Sequence, residues 1–139
     1  MGLTIKAHPI ISGRAEGTVV HSRKALSFWG GVDPETGVVI DCHHDLCGKS
    51  IAGKVFVFPG EKGSSTASAV LVELVRNGRA PAALIVMTPS PILALGAIIA
   101  EQLYGRTVPL ALLQEQDACK LHSGDFAIID VNGMIRTID

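Results

Sequence analysis

Continuous apolar runs alternate with helical stripes through the middle of the chain, and both ends read as β-rich. Val55-Phe56-Val57-Phe58 is an unbroken apolar run, which predicts a strand buried on both faces. Pro59-Gly60-Glu61-Lys62-Gly63 breaks it, and Ser64-Ser65 opens a helical segment. In that segment Val70, Leu71, Leu74 and Val75 form one stripe, and Asn77-Gly78 ends it. Ala82–Met87 predicts a second buried strand. Ser90 as N-cap and Pro91 at the first helical position start a helix that is apolar nearly all round from Ile92 to Tyr104, with Gly105 as its stop. Val108–Leu112 predicts a third buried strand. Phe126–Ile129 and Met134–Ile138 flank Asn132-Gly133, a strong hairpin signal. Towards the N-terminus, Thr18–His21 and Gly37–Ile40 are short β-type runs bounded by turn residues.

The order is therefore β-rich, then βαβαβ, then a hairpin. Helices between apolar strands predict a parallel central sheet, and the two ends supply a second, antiparallel layer. The expectation is one α/β domain over residues 1–139, built as a three-layer β/β/α stack. At 139 residues such a domain can bury a full core. Hydrophobic residues make up 47% of the chain and charged residues 18%, which excludes a disordered chain and leaves apolar surface for a partner. A net charge of −1 with scattered basic residues argues against nucleic-acid binding.

The most apolar stretch, Pro91–Ala100, is shorter than the ~18–20 residues a bilayer requires. The start MGLTIKAHP lacks the basic and apolar regions of a signal peptide, and Lys6 departs from the myristoylation pattern. Three cysteines, Cys42, Cys47 and Cys119, are an odd number and fit reduced thiols in a cytoplasm.

Two segments carry candidate chemistry. Ser27-Phe28-Trp29-Gly30-Gly31-Val32-Asp33-Pro34-Glu35-Thr36-Gly37 holds three glycines and a proline, so it is loop, yet it also holds the single tryptophan. Aromatics placed in a loop fit a binding loop, and equally a loop clamped onto its own core. The second segment is Gly63-Ser64-Ser65, where a buried strand hands over to a helix. Open α/β sheets bind ligands beyond the carboxyl ends of their strands. Free amides at a helix start would favour a carboxylate, a phosphate or a serine oxyanion there. The alternative is a serine that merely caps the helix. A phosphate-binding P-loop would need Lys after Gly63, and a nucleophile elbow would need G-x-S-x-G, so neither motif is present.

The run Gly60-Glu61-Lys62-Gly63-Ser64-Ser65 resembles the glycine–serine–serine turn of aconitase swivel domains. Together with Ser27–Gly37 and Gly48-Lys49-Ser50-Ile51-Ala52-Gly53, nearly the whole chain resembles the small subunit of aconitase X. The resemblance implies a swivelling β/β/α subunit that closes over a large subunit holding an iron–sulfur cluster or iron, with none bound by this chain alone. It implies a hydro-lyase acting on a small hydroxy acid, with Ser64 as alkoxide base. Ser65, Gly63, Ser27, Trp29, Gly30, Gly31, Asp33 and His44 would line the substrate site. The family's known substrates are cis-3-hydroxy-L-proline, converted to Δ1-pyrroline-2-carboxylate, and 5-phosphomevalonate. Trp29 and His43-His44 look more like the hydroxyproline branch. Thr66 stands where ordinary aconitases carry a carboxylate-binding arginine, which fits a substrate other than citrate.

Other residues carry two readings. Asp41-Cys42-His43-His44-Asp45-Leu46-Cys47 could form a zinc or iron site, but no third cysteine follows at ferredoxin spacing, and free thiols under a loop serve as well. Asp33 could meet a substrate amine or hydroxyl, or simply form an Asx-turn before Pro34. Arg14 could reach a carboxylate or lie solvated on the surface. His8, His21 and His122 are isolated and read as structural. Two rival functions stay open. A phosphohistidine carrier shares the swivelling build but needs a histidine just past the glycine–serine turn, where Thr66, Ala67 and Ser68 stand. The other rival is a non-catalytic regulatory subunit.

Overall fold

A computed structural model describes residues 2–138. Its strands are β1 (Thr4–Lys6), β2 (His8–Ile11), β3 (Ala15–His21), β4 (Val55–Phe58), β5 (Ala83–Val86), β6 (Leu110–Leu112), β7 (Phe126–Ile129) and β8 (Met134–Ile138). The helices are α1 (Phe28–Gly31), α2 (Ala67–Arg76), α3 (Pro91–Tyr104) and α4 (Glu115–Ala118). The strands run in the order β1-β8-β7-β3-β4-β5-β6-β2. β3 to β6 are parallel neighbours, while β2 joins β6 and the group β3, β7, β8, β1 is joined antiparallel.

Two features turn this ribbon into layers. β1 and β2 are separated by Ala7 alone, yet they sit at opposite ends of the strand order, so the sheet closes back on itself. β3 serves both halves. Ala15–Thr18 pair with β7, and Val19–His21 pair with β4. Strand alternation then divides the core in two. Phe56, Phe58, Leu84, Val86 and Leu110 face α2 and α3, with Leu71, Leu74, Leu93 and Ala97 opposite them. Val55, Val57, Ala83, Ile85 and Ala111 face the antiparallel layer, where Ile129 and Ile135 meet them. The expected β/β/α stack is what the chain forms.

The buried strands, the hairpin and both long helices stand close to where the apolar pattern put them. The left-handed Gly105 at the end of α3 has φ 65°, as a helix stop requires. Other expectations change. Gly37–Ile40 is not a strand. Val38 and Val39 make only isolated bridges, to Ser50 and Val32, within the excursion 22–54 that joins β3 to β4. This excursion replaces a crossover helix, and Phe28, Val32, Val39, Leu46 and Ile51 anchor it in the helix-side core. β1 and β2 were not expected. β2 carries Pro9 and a register shift on a sheet edge, where the missing N–H is tolerated. α2 starts at Ala67 rather than at Ser64-Ser65, because the Ser64 hydroxyl takes the Thr66 N–H in a local turn before the helix. No helix among the described residues is long and apolar enough to cross a membrane.

Candidate active site

β4 ends at Phe58 on the carboxyl rim of the parallel strands, and residues 59–66 turn from there into α2. Thr88, just past β5, backs this turn. Its N–H and its Oγ1–H both donate to the Pro59 carbonyl, at 3.0 and 2.9 Å. Both glycines of the turn have positive φ, 149° at Gly60 and 108° at Gly63, and Gly60 is crowded as well. A Cβ on Gly60 would lie 2.5 Å from Thr88 Oγ1. Gly63 faces open space, so there the backbone alone requires glycine.

Ser64 sits half-buried immediately beyond. Its Oγ accepts the Thr66 N–H at 3.3 Å, and its carbonyl accepts the Ala67 N–H at 3.1 Å. Ser68 Oγ donates to the Ser65 carbonyl at 3.1 Å. Among the described residues the Ser64 and Ser65 amides have no acceptor. The turn thus holds a serine oxygen at the positive end of a ten-residue helix, with one amide already aimed at it and two more free.

The aromatic loop is strapped alongside. Leu26 and Glu61 pair as a parallel bridge, with Leu26 N–H donating to the Gly60 carbonyl and Lys62 N–H to the Leu26 carbonyl. The Glu61 carboxylate adds two bonds, one oxygen accepting the Phe28 N–H at 2.9 Å and the other the Gly63 N–H at 3.2 Å. Phe28 is fully buried, its ring 6.4 Å from that of Phe56 and 6.1 Å from that of Phe58. Trp29, next in sequence, is 58% exposed, and Gly30 beside it is exposed as well. Ser27 Oγ donates to the Trp29 carbonyl at 3.1 Å. Phe28 thus clamps the loop to the core, while Trp29-Gly30 stand exposed on the same loop. Gly31 is buried against Leu26, and Asp33 accepts the Glu35 N–H at 3.0 Å in an Asx-turn.

His44 departs from the expected substrate-facing position. It is 6% exposed, and both ring nitrogens are engaged inside the fold. Leu46 N–H donates to Nδ1 at 3.1 Å, which makes Nε2–H the donor to the Lys24 carbonyl at 3.1 Å. Asp45 Oδ1 lies 3.1 Å from Nδ1 and accepts the Ser22 hydroxyl at 2.7 Å. Burial works against ionisation of Asp45, yet the Ser22 hydrogen bond, the neighbouring His44 ring and backbone hydrogen bonds outweigh it and hold the carboxyl below its ordinary value. His44 is thus an anchor for the excursion. Cys42 and Cys47 are exposed free thiols, as is Cys119, and among the described residues no group of three or more His, Cys, Asp or Glu could hold a metal ion.

A cavity of about 560 Å³ is lined by Pro59 together with His21, Arg23, Met87, Cys119 and His122. Ser64 does not line it, and several of its polar groups are spent internally. His21 Nδ1 is 2.6 Å from the Leu121 carbonyl, and Cys119 Sγ donates to the Gln116 carbonyl. The serine turn, by contrast, keeps the Ser64 and Ser65 amides free among the described residues. Sequence reasoning missed two contributors to that turn. Glu61 reads only as a turn residue until Leu26 is known to lie beside it. Ser90 occupies the N-cap position of α3 as expected, but its hydroxyl donates to the Thr88 carbonyl and accepts the Glu61 N–H at 3.3 Å rather than capping the helix.

Residues 4–137 match the family model of the aconitase X swivel domain. A cis-3-hydroxy-L-proline dehydratase from Pseudomonas aeruginosa is 50% identical over 107 residues, which cover 77% of this chain and 18% of that protein. A phosphomevalonate dehydratase small subunit from Methanothrix thermoacetophila is 45% identical over 119 residues, covering 86% of this chain and 87% of that one. Among solved structures, the holo-form of Thermococcus kodakaraensis aconitase X superposes with a TM-score of 0.88 at 41% identity, over 99% of both chains. With a family model spanning nearly its whole length and a fold that superposes on aconitase X end to end, this chain belongs to the aconitase X family, as a swivel domain.

Proposed function

We propose that this chain is the small subunit of an aconitase X-type hydro-lyase, in which Ser64 removes the α-proton of a hydroxy acid. The observation that carries the reading is the Ser64 hydroxyl itself, set at the amino end of α2 on a turn whose Ser64 and Ser65 amides are unpaired. A serine works as a base only if its alkoxide is stabilised, and preorganised amides with a helix dipole supply that stabilisation. In the preferred substrate, cis-3-hydroxy-L-proline, the base takes the C2 proton and hydroxide leaves from C3. The resulting C2=C3 enamine tautomerises to Δ1-pyrroline-2-carboxylate. Ser65 and Gly63 present the backbone to the substrate. Ser27, Trp29 and Gly30 form the wall beside it, with Trp29 as the exposed lid, while Gly31, buried against Leu26, and Asp33, in its Asx-turn, shape the loop behind them.

The family's iron centre does not fit the residues of this chain, which offer no adequate donor set among the described positions. We assign the centre to the large subunit and derive no step through it. The partner is accordingly that large subunit, in a heterodimer placed in the cytoplasm, with neither a membrane nor a nucleic acid involved. The relatives' names divide between two substrates. Trp29 and the pair His43-His44 favour hydroxyproline, as does the 50% identity to the Pseudomonas enzyme. The second reading, 5-phosphomevalonate, is favoured by the match in extent to a free-standing small subunit, which covers 87% of that chain.

The test is to assay both substrates with this chain alone, with the large subunit alone and with the two combined. Turnover of cis-3-hydroxy-L-proline by the combination only is the expected result. Turnover of 5-phosphomevalonate instead moves the chain to the second reading. Activity of this chain without a partner contradicts the shared site.

A further inference from the structure

Glu61 reaches two segments at once. Its backbone pairs with Leu26, and its carboxylate extends that pairing by one bond in each direction, to Phe28 N–H at 2.9 Å and to Gly63 N–H at 3.2 Å. Phe28 immediately precedes the exposed Trp29, and Gly63 immediately precedes Ser64. Hydrogen bonds to an ionised carboxylate are stronger and shorter than those between neutral groups, so the carboxylate stiffens a junction that the backbone bonds at Leu26 make only at one point. The link has its own support, because Ser90 Oγ accepts the Glu61 N–H and is itself tied to the Thr88 carbonyl. Among the described residues neither bonded amide has a backbone acceptor in its place.

We propose that Glu61 is a positioning residue that fixes the Trp29 loop and the Ser64 turn in one geometry, so that substrate enclosure and proton abstraction are set together. The inference rests on the reading of Ser64 as base. Its physical content is that the carboxylate never touches substrate and acts by aligning two backbone segments. A misplacement of about 1 Å in such a site costs on the order of a hundredfold in rate.

The experiment uses Glu61→Gln and Glu61→Ala. Gln keeps one acceptor oxygen but turns an NH2 group towards the other amide, so it breaks one arm of the link with little change in volume. Amide hydrogen exchange on the 15N-labelled chain follows Phe28 and Gly63 individually, and kcat and KM are measured on the enzyme assembled with the large subunit. Faster exchange is expected at both amides in Glu61→Ala and at one or both in Glu61→Gln. The same variants should lose about tenfold or more in kcat, with the Glu61→Gln loss non-additive with that of Trp29→Ala.

Unchanged exchange at both amides in both variants overturns the link. Faster exchange with unchanged kcat overturns the positioning role. Ser64→Ala separates this inference from the one beneath it. That variant should leave the Phe28 amide protected. If it also retains turnover, the serine reading fails while the exchange result for Glu61 stands.

Discussion

Asp41–Cys47 and Gly60–Thr66 compete for attention in the sequence, and the fold treats them in opposite ways. The first packs two thiols, two imidazoles and two carboxylates into seven residues. In the structure Asp41 accepts the His43 N–H, Asp45 holds Ser22, and His44 is buried with both nitrogens satisfied. Asp41, His44 and Asp45 have been used to fold a loop, and the two thiols lie free on its surface. The second segment has a single acid and two serines, yet it leaves amides unpaired at a helix start and a serine oxygen among them. Density of reactive residue types is thus a poor guide to where a fold leaves hydrogen-bonding capacity unspent, and it is on that unspent capacity that the proposal for Ser64 rests.

The adjoining pair Phe28 and Trp29 sharpens that contrast. Phe28→Ala should destabilise the fold by about 3–5 kcal/mol, since its fully buried ring packs on Phe56 and Phe58. Trp29→Ala should change stability by no more than about 0.5 kcal/mol while lowering kcat/KM in the assembled enzyme. Urea denaturation and steady-state kinetics on the two variants check this. Equal stability losses would make Trp29 a packing residue.

His44→Ala should cost about 1–3 kcal/mol, because the Leu46 N–H and the Lys24 carbonyl lose a buried partner. The dehydration rate per folded molecule should hold. A rate loss well beyond the stability loss would restore His44 to the substrate site.

Asp45 offers a test by pH. Its carboxyl is held below its ordinary value in the fold, so it stabilises the native state above the pKa of the unfolded chain. That contribution is lost as pH falls through the ordinary carboxylate range and below it. Asp45→Asn should therefore flatten the acid limb of the stability curve, measured as denaturation midpoint against pH. A curve parallel to the wild type's would contradict the Ser22–Asp45–His44 arrangement. The smallest effect is expected for the double replacement of Cys42 and Cys47 by serine. Both thiols are exposed, so stability should move by no more than about 0.5 kcal/mol, and metal content should not change. Stoichiometric metal lost on this replacement would overturn the reading of the segment.

What was legible in the sequence follows from how local each signal is. Val55–Phe58 and Ala83–Val86 announce themselves because strands covered on both faces need apolar side chains at every position. Asn132-Gly133 marks its hairpin because the turn needs residues that tolerate positive φ, and Gly133 has φ 86°. The serine turn was legible as the break between a buried strand and a helix, though the helix starts at Ala67, and only family resemblance singled out Ser64 within it. β1 and β2 were not legible, since each is a few residues long and pairs with a strand roughly a hundred positions away. The inward turn of His44 and the double reach of Glu61 escaped for the same reason. Both depend on partners that only the folded excursion brings near.

The central claim is that Ser64 takes the α-proton, and label release from C2 tests it most directly. The assembled enzyme and its Ser64→Ala counterpart are given cis-3-hydroxy-L-proline tritiated at C2, and both tritium release to water and product formation are followed. Removal of a positioned base should slow the two together by about 10²–10⁴-fold, with folding weakened by only about 1 kcal/mol for the lost turn contact. Tritium release by the Ser64→Ala enzyme at the wild-type rate would contradict the assignment.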